Sequence, residues 1–251
     1  MTNERHPEFS LVGCAVKDWE SGEPTWRELL PGRADHRLDT VDAFDSHVVV
    51  GTRHEARPRI EVFAGDDFSS AAMVLRLAAG AGAGPNLDPE ARGVIVGRSS
   101  LIEPTVWELH PFDGEPARVV HRTQAPGHDA TAYHCELRWV AARDGLQIPV
   151  TLAYADGTRL DGSTPAVLWA YGAYESCDWP AWDPVIPEWL DRGVVYAQPH
   201  IRGGGEGGRR WWEEGHLAAK KHTFTDLVDV AEGLAAAGLV DRDRIATRGC
   251  R

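Results

Sequence analysis

The sequence has few cysteines and no long apolar segment. Four cysteines, Cys14, Cys135, Cys177 and Cys250, are spread over 251 residues, so a disulfide framework is not expected, and no pair has metal-ligand spacing. No window approaches the ~18 consecutive apolar residues that indicate a membrane-spanning helix. The first ten residues, MTNERHPEFS, lack the apolar run of a signal peptide. These observations predict reduced thiols and a soluble, cytoplasmic protein.

Basic residues and cofactor motifs are also scarce. There are 26 Lys and Arg against 38 Asp and Glu, which gives a net charge of -12 and predicts binding to neither nucleic acid nor an anionic membrane. The glycine run 203–208 lacks the Lys-Ser/Thr ending of a P-loop and the strand-to-helix context of a dinucleotide site. There is no HExxH helix and no paired-carboxylate glycosidase signature. We therefore expect no cofactor and no metal.

The first half of the chain is a series of short strands separated by turns. Residues 48–55 and 59–64 are predicted to form a hairpin, and strands are predicted at 93–98, 107–110 and 117–121. Residues 71–79 fit a short helix or a strand equally well, because their apolar positions match both periods. Strands without intervening helices predict a sandwich, a barrel or propeller blades, and their spacing does not choose among the three.

After residue 130 strands and helices alternate. A hairpin is predicted around Asp144-Gly145, strands at 166–171, 194–198 and 244–247, and helices at 187–192 and 224–237. Thr223 and Asp226 are interpreted as a capping box, and an apolar stripe from Phe224 through Val228 to Leu234 as the buried face of the last helix. The alternation predicts a mainly parallel sheet covered on both faces, in a second domain that begins near residue 131.

The expected place for a catalytic nucleophile is the turn after the last strand. A Gly-x-Ser-x-Gly elbow there would project a serine from the strand end, but the sequence reads ATRGCR and contains no complete elbow. Ser99 and Ser100 in GRSSL lack the second glycine, so we do not interpret them as nucleophiles.

Other polar residues near the glycine run are interpreted as structural. Arg202 and Glu206 are expected to pair within the loop, and His200 to be a buried residue at a strand end. The basic run Lys220-Lys221-His222 is interpreted as a solvated start of the last helix.

Several long motifs nevertheless resemble one family. The run HIRGGGEGGRRWWEEGHLAAKKHTFTD from His200 to Asp226 is similar to the RGGGE-G-x-x-W-x-x-x-G and K-x-x-T-F-x-D segment of the prolyl oligopeptidase family. ARDGLQIPVTLAY, WAYGAY and SSLIEPTVWEL resemble the entry to its catalytic domain, its tyrosine-glycine turn and the last propeller blades of the oligopeptidase B branch.

The resemblance implies a fold and an activity. Residues 1–130 would be the terminal blades of a partial, all-β propeller, and residues 131–251 the first part of an α/β-hydrolase domain. The family hydrolyses short peptides with a Ser, Asp, His triad, and the propeller restricts access by larger substrates. By resemblance Tyr171 would donate a hydrogen bond to the oxyanion, and Asp178 and Asp183 loosely match the acidic pair that binds basic side chains.

The resemblance breaks at the nucleophile. The serine position falls on Arg251, and a guanidinium cannot attack a carbonyl carbon. We therefore expect a fragment that lacks the triad and is inactive as it stands. The alternatives are a non-catalytic remnant that acts as a binding module, and an acyl-aminoacyl peptidase or esterase of the same fold.

Overall fold

The computed structural model describes residues 1–34, 36–78 and 80–249. The strands are β1 Leu11–Gly13, β2 Arg27–Leu30, β3 Arg37–Ala43, β4 His47–His54, β5 Arg57–Ala64, β6 Met73–Arg76, β7 Ala81–Ala83, β8 Gly93–Arg98, β9 Val106–Pro111, β10 Arg118–Arg122, β11 Tyr133–Ala141, β12 Gln147–Ala155, β13 Ala166–Ala170, β14 Val195–Pro199 and β15 Ile245–Gly249. The α-helices are α1 Val16–Glu20, α2 Val185–Leu190, α3 Arg209–Glu213 and α4 Lys221–Ala236. Within the described residues, no helix is both long and apolar enough to cross a membrane.

The chain divides into two compact units. Met1–Val96 with Glu108–Arg118 forms the first, and Gly97–Trp107 with the residues from Val119 onward forms the second. Residues 119–130, which the sequence analysis assigned to the first domain, cluster with the second unit; the domain boundary near residue 130 stays a prediction.

The strands of the first half form meanders. β3 to β6 make a four-stranded antiparallel sheet in sequence order, and β7 to β10 form a second four-stranded sheet in sequence order. The predicted hairpin is present as β4 and β5, and Glu55 and Ala56 take positive φ values of 48° and 56° in its two-residue turn, as hairpin turns of this length require. The ambiguous segment 71–79 contains strand β6. Four-stranded antiparallel meanders are the blades of β-propellers.

The second half is a five-stranded mixed sheet. Its order is β11-β12-β14-β13-β15, with antiparallel pairs on the β11 side and parallel pairs joining β13 to both β14 and β15. The sheet is therefore less parallel than predicted, because the tight turn at Asp144-Gly145 forces β12 to run back along β11. Gly145 supplies the positive φ of that turn, 86°.

Side chains alternate between the two faces of this sheet. Ile148, Val150 and Leu152 of β12 pack on the α4 face with Val230 and Leu234. The opposite face holds a second cluster against α2, built from Leu101, Ala153, Val167, Ile186, Leu190 and Tyr196. Both faces are covered by helices, as the period of the sequence predicted.

Helix α4 is held on the sheet by ion pairs as well as by apolar packing. Asp226 is fully buried, and its Oδ1 and Oδ2 accept from Arg202 Nη2 at 2.6 Å and Nε at 2.9 Å. One turn on, Asp229 accepts from Arg143 Nη2 at 2.6 Å. Arg202 also donates to Asp144 Oδ2 at 2.7 Å, so one guanidinium joins α4, the end of β14 and the β11–β12 turn.

Of two predictions about α4, the capping box was wrong and the apolar stripe was right only in part. The helix begins at Lys221, so Thr223 and Asp226 lie inside it rather than at its cap. The predicted apolar stripe is buried only in part: Leu234 is in the core, but Phe224 and Val228 are exposed while both aspartates are buried. Carboxylates can lie on the buried face because arginines neutralise and hydrogen-bond them.

We predict that Asp226→Asn lowers the free energy of unfolding by about 3–5 kcal/mol, because it removes the fully buried carboxylate that pairs with the buried Arg202 and leaves only the half-exposed Asp144. Denaturant unfolding measures the change. Glu188→Gln is the control: Glu188 pairs with Arg192 on the surface of α2 and should cost less than about 1 kcal/mol. Equal effects of the two variants would contradict the prediction.

Candidate active site

The candidate site lies at the carboxyl ends of two neighbouring parallel strands. β13 and β15 pair in register with Ala170 opposite Gly249. Tyr171 directly follows β13, so it lies at the sheet edge that β15 reaches at Gly249. Tyr171 is half-buried, and its ring lies 6.5 Å from that of Tyr174. Ligands of open α/β sheets bind at this edge.

The turn after β13 is held in an unusual backbone conformation. Tyr174 and Glu175 have positive φ values of 59° and 55°, which side-chain-bearing residues rarely adopt. Two backbone bonds join the turn to the glycine run: Glu175 N–H donates to the Gly203 carbonyl at 3.2 Å, and Gly205 N–H donates to Ser176 at 3.1 Å. Arg209 adds an ion pair to Glu175 at 2.6 Å.

The glycine run is required by close backbone approach. A Cβ on Gly203 would lie 2.2 Å from the Gly172 carbonyl oxygen, and one on Gly205 would lie 2.2 Å from that of Glu175. A side chain at either position would push the turn that follows Tyr171 out of place. The run is thus a structural loop, as predicted.

The predicted pair between Arg202 and Glu206 does not form. Arg202 pairs with Asp226 on α4. Glu206 Oε1 accepts a hydrogen bond from the Asp178 backbone N–H at 2.8 Å and lies 3.8 Å from His200 Nδ1. His200 is buried, and its Nε2 lies 2.9 Å from the Thr151 hydroxyl. These contacts agree with the structural interpretation of His200.

Asp178 and Asp183 line one cavity of about 280 Å³ on the α2 face of the sheet, together with aromatic side chains that include Trp169, Trp179 and Trp182. Asp178 Oδ2 already accepts from Trp169 Nε1 at 2.7 Å. Asp183 is exposed, and its Oδ1 accepts from the Val185 N–H at the start of α2. The structure therefore brings the two predicted acids to one cavity, but each also has a local structural partner.

The same cavity contains a cation from the chain itself. Arg248 of β15 lines it, and its guanidinium lies 5.2 Å from the centre of the Trp169 ring, within the range of a cation–π contact. Burial, followed by the charge of Asp178, raises the pKa of Tyr196 in the cavity wall to about 12, so that phenol is neutral at physiological pH. The cavity is thus lined by two carboxyl groups, one guanidinium cation and one neutral phenol.

The serines set aside in the sequence are turn residues. Ser99 Oγ accepts from the Trp182 N–H at 3.0 Å, and Ser100 Oγ accepts from the Glu103 N–H at 3.0 Å. The Ser100 hydroxyl stabilises its own turn, and the Ser99 hydroxyl joins that turn to the distant segment at Trp182. The position that resemblance assigns to the nucleophile, Arg251, lies outside the described residues.

The sequence interpretation missed one residue of the site. Lys220, assigned to a solvated basic run, is partly buried, and its Nζ donates to the Gly172 carbonyl at 2.6 Å. Burial lowers the pKa of this amine. The only sequence signal was its place in the K-x-x-T-F-x-D motif, which carries no information about the partner.

Comparison with known proteins assigns both halves to the same family. The sequence profile of the N-terminal β-propeller domain of prolyl oligopeptidases matches residues 1–122. The prolyl oligopeptidase family profile matches residues 182–250. The predicted all-β propeller followed by an α/β unit is therefore confirmed.

Curated relatives cover nearly all of the chain. Dipeptidyl aminopeptidase BI of Pseudoxanthomonas mexicana is 35% identical over 226 residues, which are 89% of this chain and 31% of the relative. Protease 2 of Moraxella lacunata is 31% identical over 157 residues, 62% of this chain and 23% of that protein. The chain spans about a third or less of the length of these relatives.

Solved structures give the same result. Oligopeptidase B from Leishmania major superposes with a TM-score of 0.81 at 25% identity, over 89% of this chain and 33% of that one. Oligopeptidase B from Trypanosoma brucei, solved with covalently bound antipain, gives 0.79 at 28% identity, over 90% of this chain and 34% of that one. With two profiles, curated relatives and structural neighbours in agreement, the chain belongs to the prolyl oligopeptidase family.

Proposed function

We propose that this chain is part of a serine peptidase of the prolyl oligopeptidase or oligopeptidase B type, which hydrolyses short peptides. The observation that carries the proposal is the register of β13 and β15. It brings Tyr171 to the sheet edge at which β15 runs into Gly249, and a strand that enters a glycine turn is the context of a nucleophile elbow.

Tyr171 is proposed to act as an oxyanion donor. A phenol next to the elbow donates a hydrogen bond as negative charge develops on the substrate carbonyl oxygen, and this lowers the activation barrier rather than the dissociation constant. The clamped turn supports this role, because a donor contributes most when it is already oriented before the reaction.

Asp178 and Asp183 are proposed to bind substrate in the aromatic cavity. Their charges favour a basic side chain, while Arg248 in the same cavity opposes one. Peptides are the proposed partners, and we propose no cofactor, because general acid–base and nucleophilic side chains suffice for acyl transfer.

We predict that the 251-residue chain itself does not hydrolyse peptides or esters, since it contains no Gly-x-Ser-x-Gly elbow. Incubation with an Arg-aminomethylcoumarin dipeptide and with a nitrophenyl ester measures this. Turnover that is lost in proportion to added serine-reactive phosphonate would refute the prediction. Ester turnover without peptide turnover would favour an esterase instead.

A second prediction concerns a longer protein that carries this sequence together with the triad. There Tyr171→Phe should lower kcat by roughly 10- to 1,000-fold, the effect of losing one oxyanion donor, with KM little changed. Steady-state kinetics measure both constants.

Tyr154→Phe is the matched control for this experiment. It also removes one hydroxyl, but that hydroxyl bonds to Glu136 at 3.3 Å on β11, so kcat should not change. A rise in KM alone, or a fall of several degrees in Tm for Tyr171→Phe, would indicate that Tyr171 only packs.

A further inference from the structure

The turn that carries Tyr171 is anchored by a side chain from a distant part of the chain. Lys220 precedes α4, and its Nζ donates to the carbonyl of Gly172 at 2.6 Å. That carbonyl belongs to the residue immediately after Tyr171. Among the described residues Lys220 has no carboxylate partner, so its charge is directed at a backbone dipole.

Gly172 has a left-handed backbone conformation and is closely packed by its neighbours. Its φ is +61°, and a Cβ there would lie 2.6 Å from Ile201 Cγ1 and 2.7 Å from Thr223 Cγ2. Gly172 is therefore packed against Ile201, just after β14, and against Thr223 of α4 on the side where a side chain would stand. Two side chains lie close enough to donate a hydrogen bond to the Gly172 carbonyl oxygen, Thr223 and Lys220.

Thr223 does not fill that role. Its Oγ1 lies 3.4 Å from the Gly172 carbonyl oxygen, but 2.7 Å from that of Arg202 and 3.1 Å from that of Gly215. A hydroxyl has one proton to donate, and the shortest contact, to Arg202, takes it. Lys220 is thus the donor to Gly172.

The surroundings of Lys220 strengthen this contact. Burial lowers the pKa of its amine, and the Phe224 ring lies 5.9 Å away on the next turn of chain. An amine with reduced hydration interacts more strongly with a carbonyl dipole than one in bulk water does. The aromatic face adds a weak attraction for the cation.

We propose that Lys220 is a positioning residue: by holding the Gly172 carbonyl it fixes the peptide that joins Gly172 to Ala173, and with it the backbone that directs the Tyr171 side chain. The effect on catalysis rests on the proposed function of Tyr171. The effect on the geometry of the turn does not, and it can be measured separately.

The test uses the 251-residue chain with tyrosine labelled by ¹³C on the ring, and Tyr171→Phe assigns the Tyr171 resonance. Lys220→Met should shift that resonance and speed hydrogen exchange at the amides of Glu175 and Ser176 by about tenfold or more, because the turn opens more often. Lys220→Arg should restore most of the protection, because it keeps a charged donor.

Lys221→Met is the matched control. Lys221 is the neighbouring lysine and is exposed, so the resonance and the exchange rates should stay as in the parent chain. If Lys220→Met does not fold, Lys220→Ala, which also removes the donor, is read in the same way. A folded Lys220→Met or Lys220→Ala variant with an unchanged Tyr171 resonance and unchanged exchange would overturn the proposal.

A second arm uses the longer peptidase. Lys220→Met should lower kcat by roughly tenfold or more with little change in KM, as expected when an oxyanion donor is misaligned. If the turn loosens but kcat stays unchanged, the catalytic part of the proposal is wrong. If Tyr171→Phe is also without effect, the proposed function of Tyr171 fails, while the exchange data still decide whether Lys220 positions the turn.

Discussion

The buried guanidinium of Arg202 is the interaction on which the second half of the molecule depends. It contacts Asp226 on α4 and Asp144 in the β11–β12 turn, and its own backbone stands between β14 and the glycine run. A cation removed from water must be matched by carboxylates with good geometry, or the fold loses several kcal/mol. This requirement fixes the height and rotation of α4 on the sheet. It thereby places Lys220 and Thr223 beside Gly172.

Next to Arg202, the loop of the candidate site is held by close contacts with the glycine run. Gly203 packs against the Gly172 carbonyl, and Gly205 packs against the Glu175 carbonyl. The Glu206 carboxylate accepts a hydrogen bond from the Asp178 N–H. The loop that follows Tyr171 is therefore shaped by its contacts with the glycine run. A substitution in the glycine run would act on Tyr171 and on the aromatic cavity at once, because the loop that follows Tyr171 also carries Asp178 and Trp179 of the cavity wall.

Much of the fold could be predicted from the sequence, because period and turn chemistry are local. The β4–β5 and β11–β12 hairpins, the strands around Val96 and Val195, and the existence of α4 all follow from alternation and from turn residues such as Gly145. Motif resemblance gave the family, and profiles, relatives and structures confirm it. The roles of Tyr171, Asp178 and Asp183 came from resemblance alone and remain proposals.

What could not be predicted depends on partners far apart in sequence. Asp226 was interpreted as part of a capping box because it stands three residues after Thr223, and Lys220 as solvated because it belongs to a basic run. Neither pattern identifies the partner, Arg202 in the first case and the Gly172 carbonyl in the second. A hydrophobic pattern also cannot identify a buried carboxylate whose neutralising arginine comes from another strand.

The register of the sheet has a consequence for the order of folding. β11 and β12 are joined by a short turn, and such hairpins form within about 1–10 μs. α2, β14 and α4 lie between β13 and β15 in sequence, so pairing these two strands closes a long loop at a larger entropic cost. The edge that holds Tyr171 is therefore expected to assemble after the rest of the sheet. A folding intermediate of this protein would keep its hairpin and still lack its candidate active site.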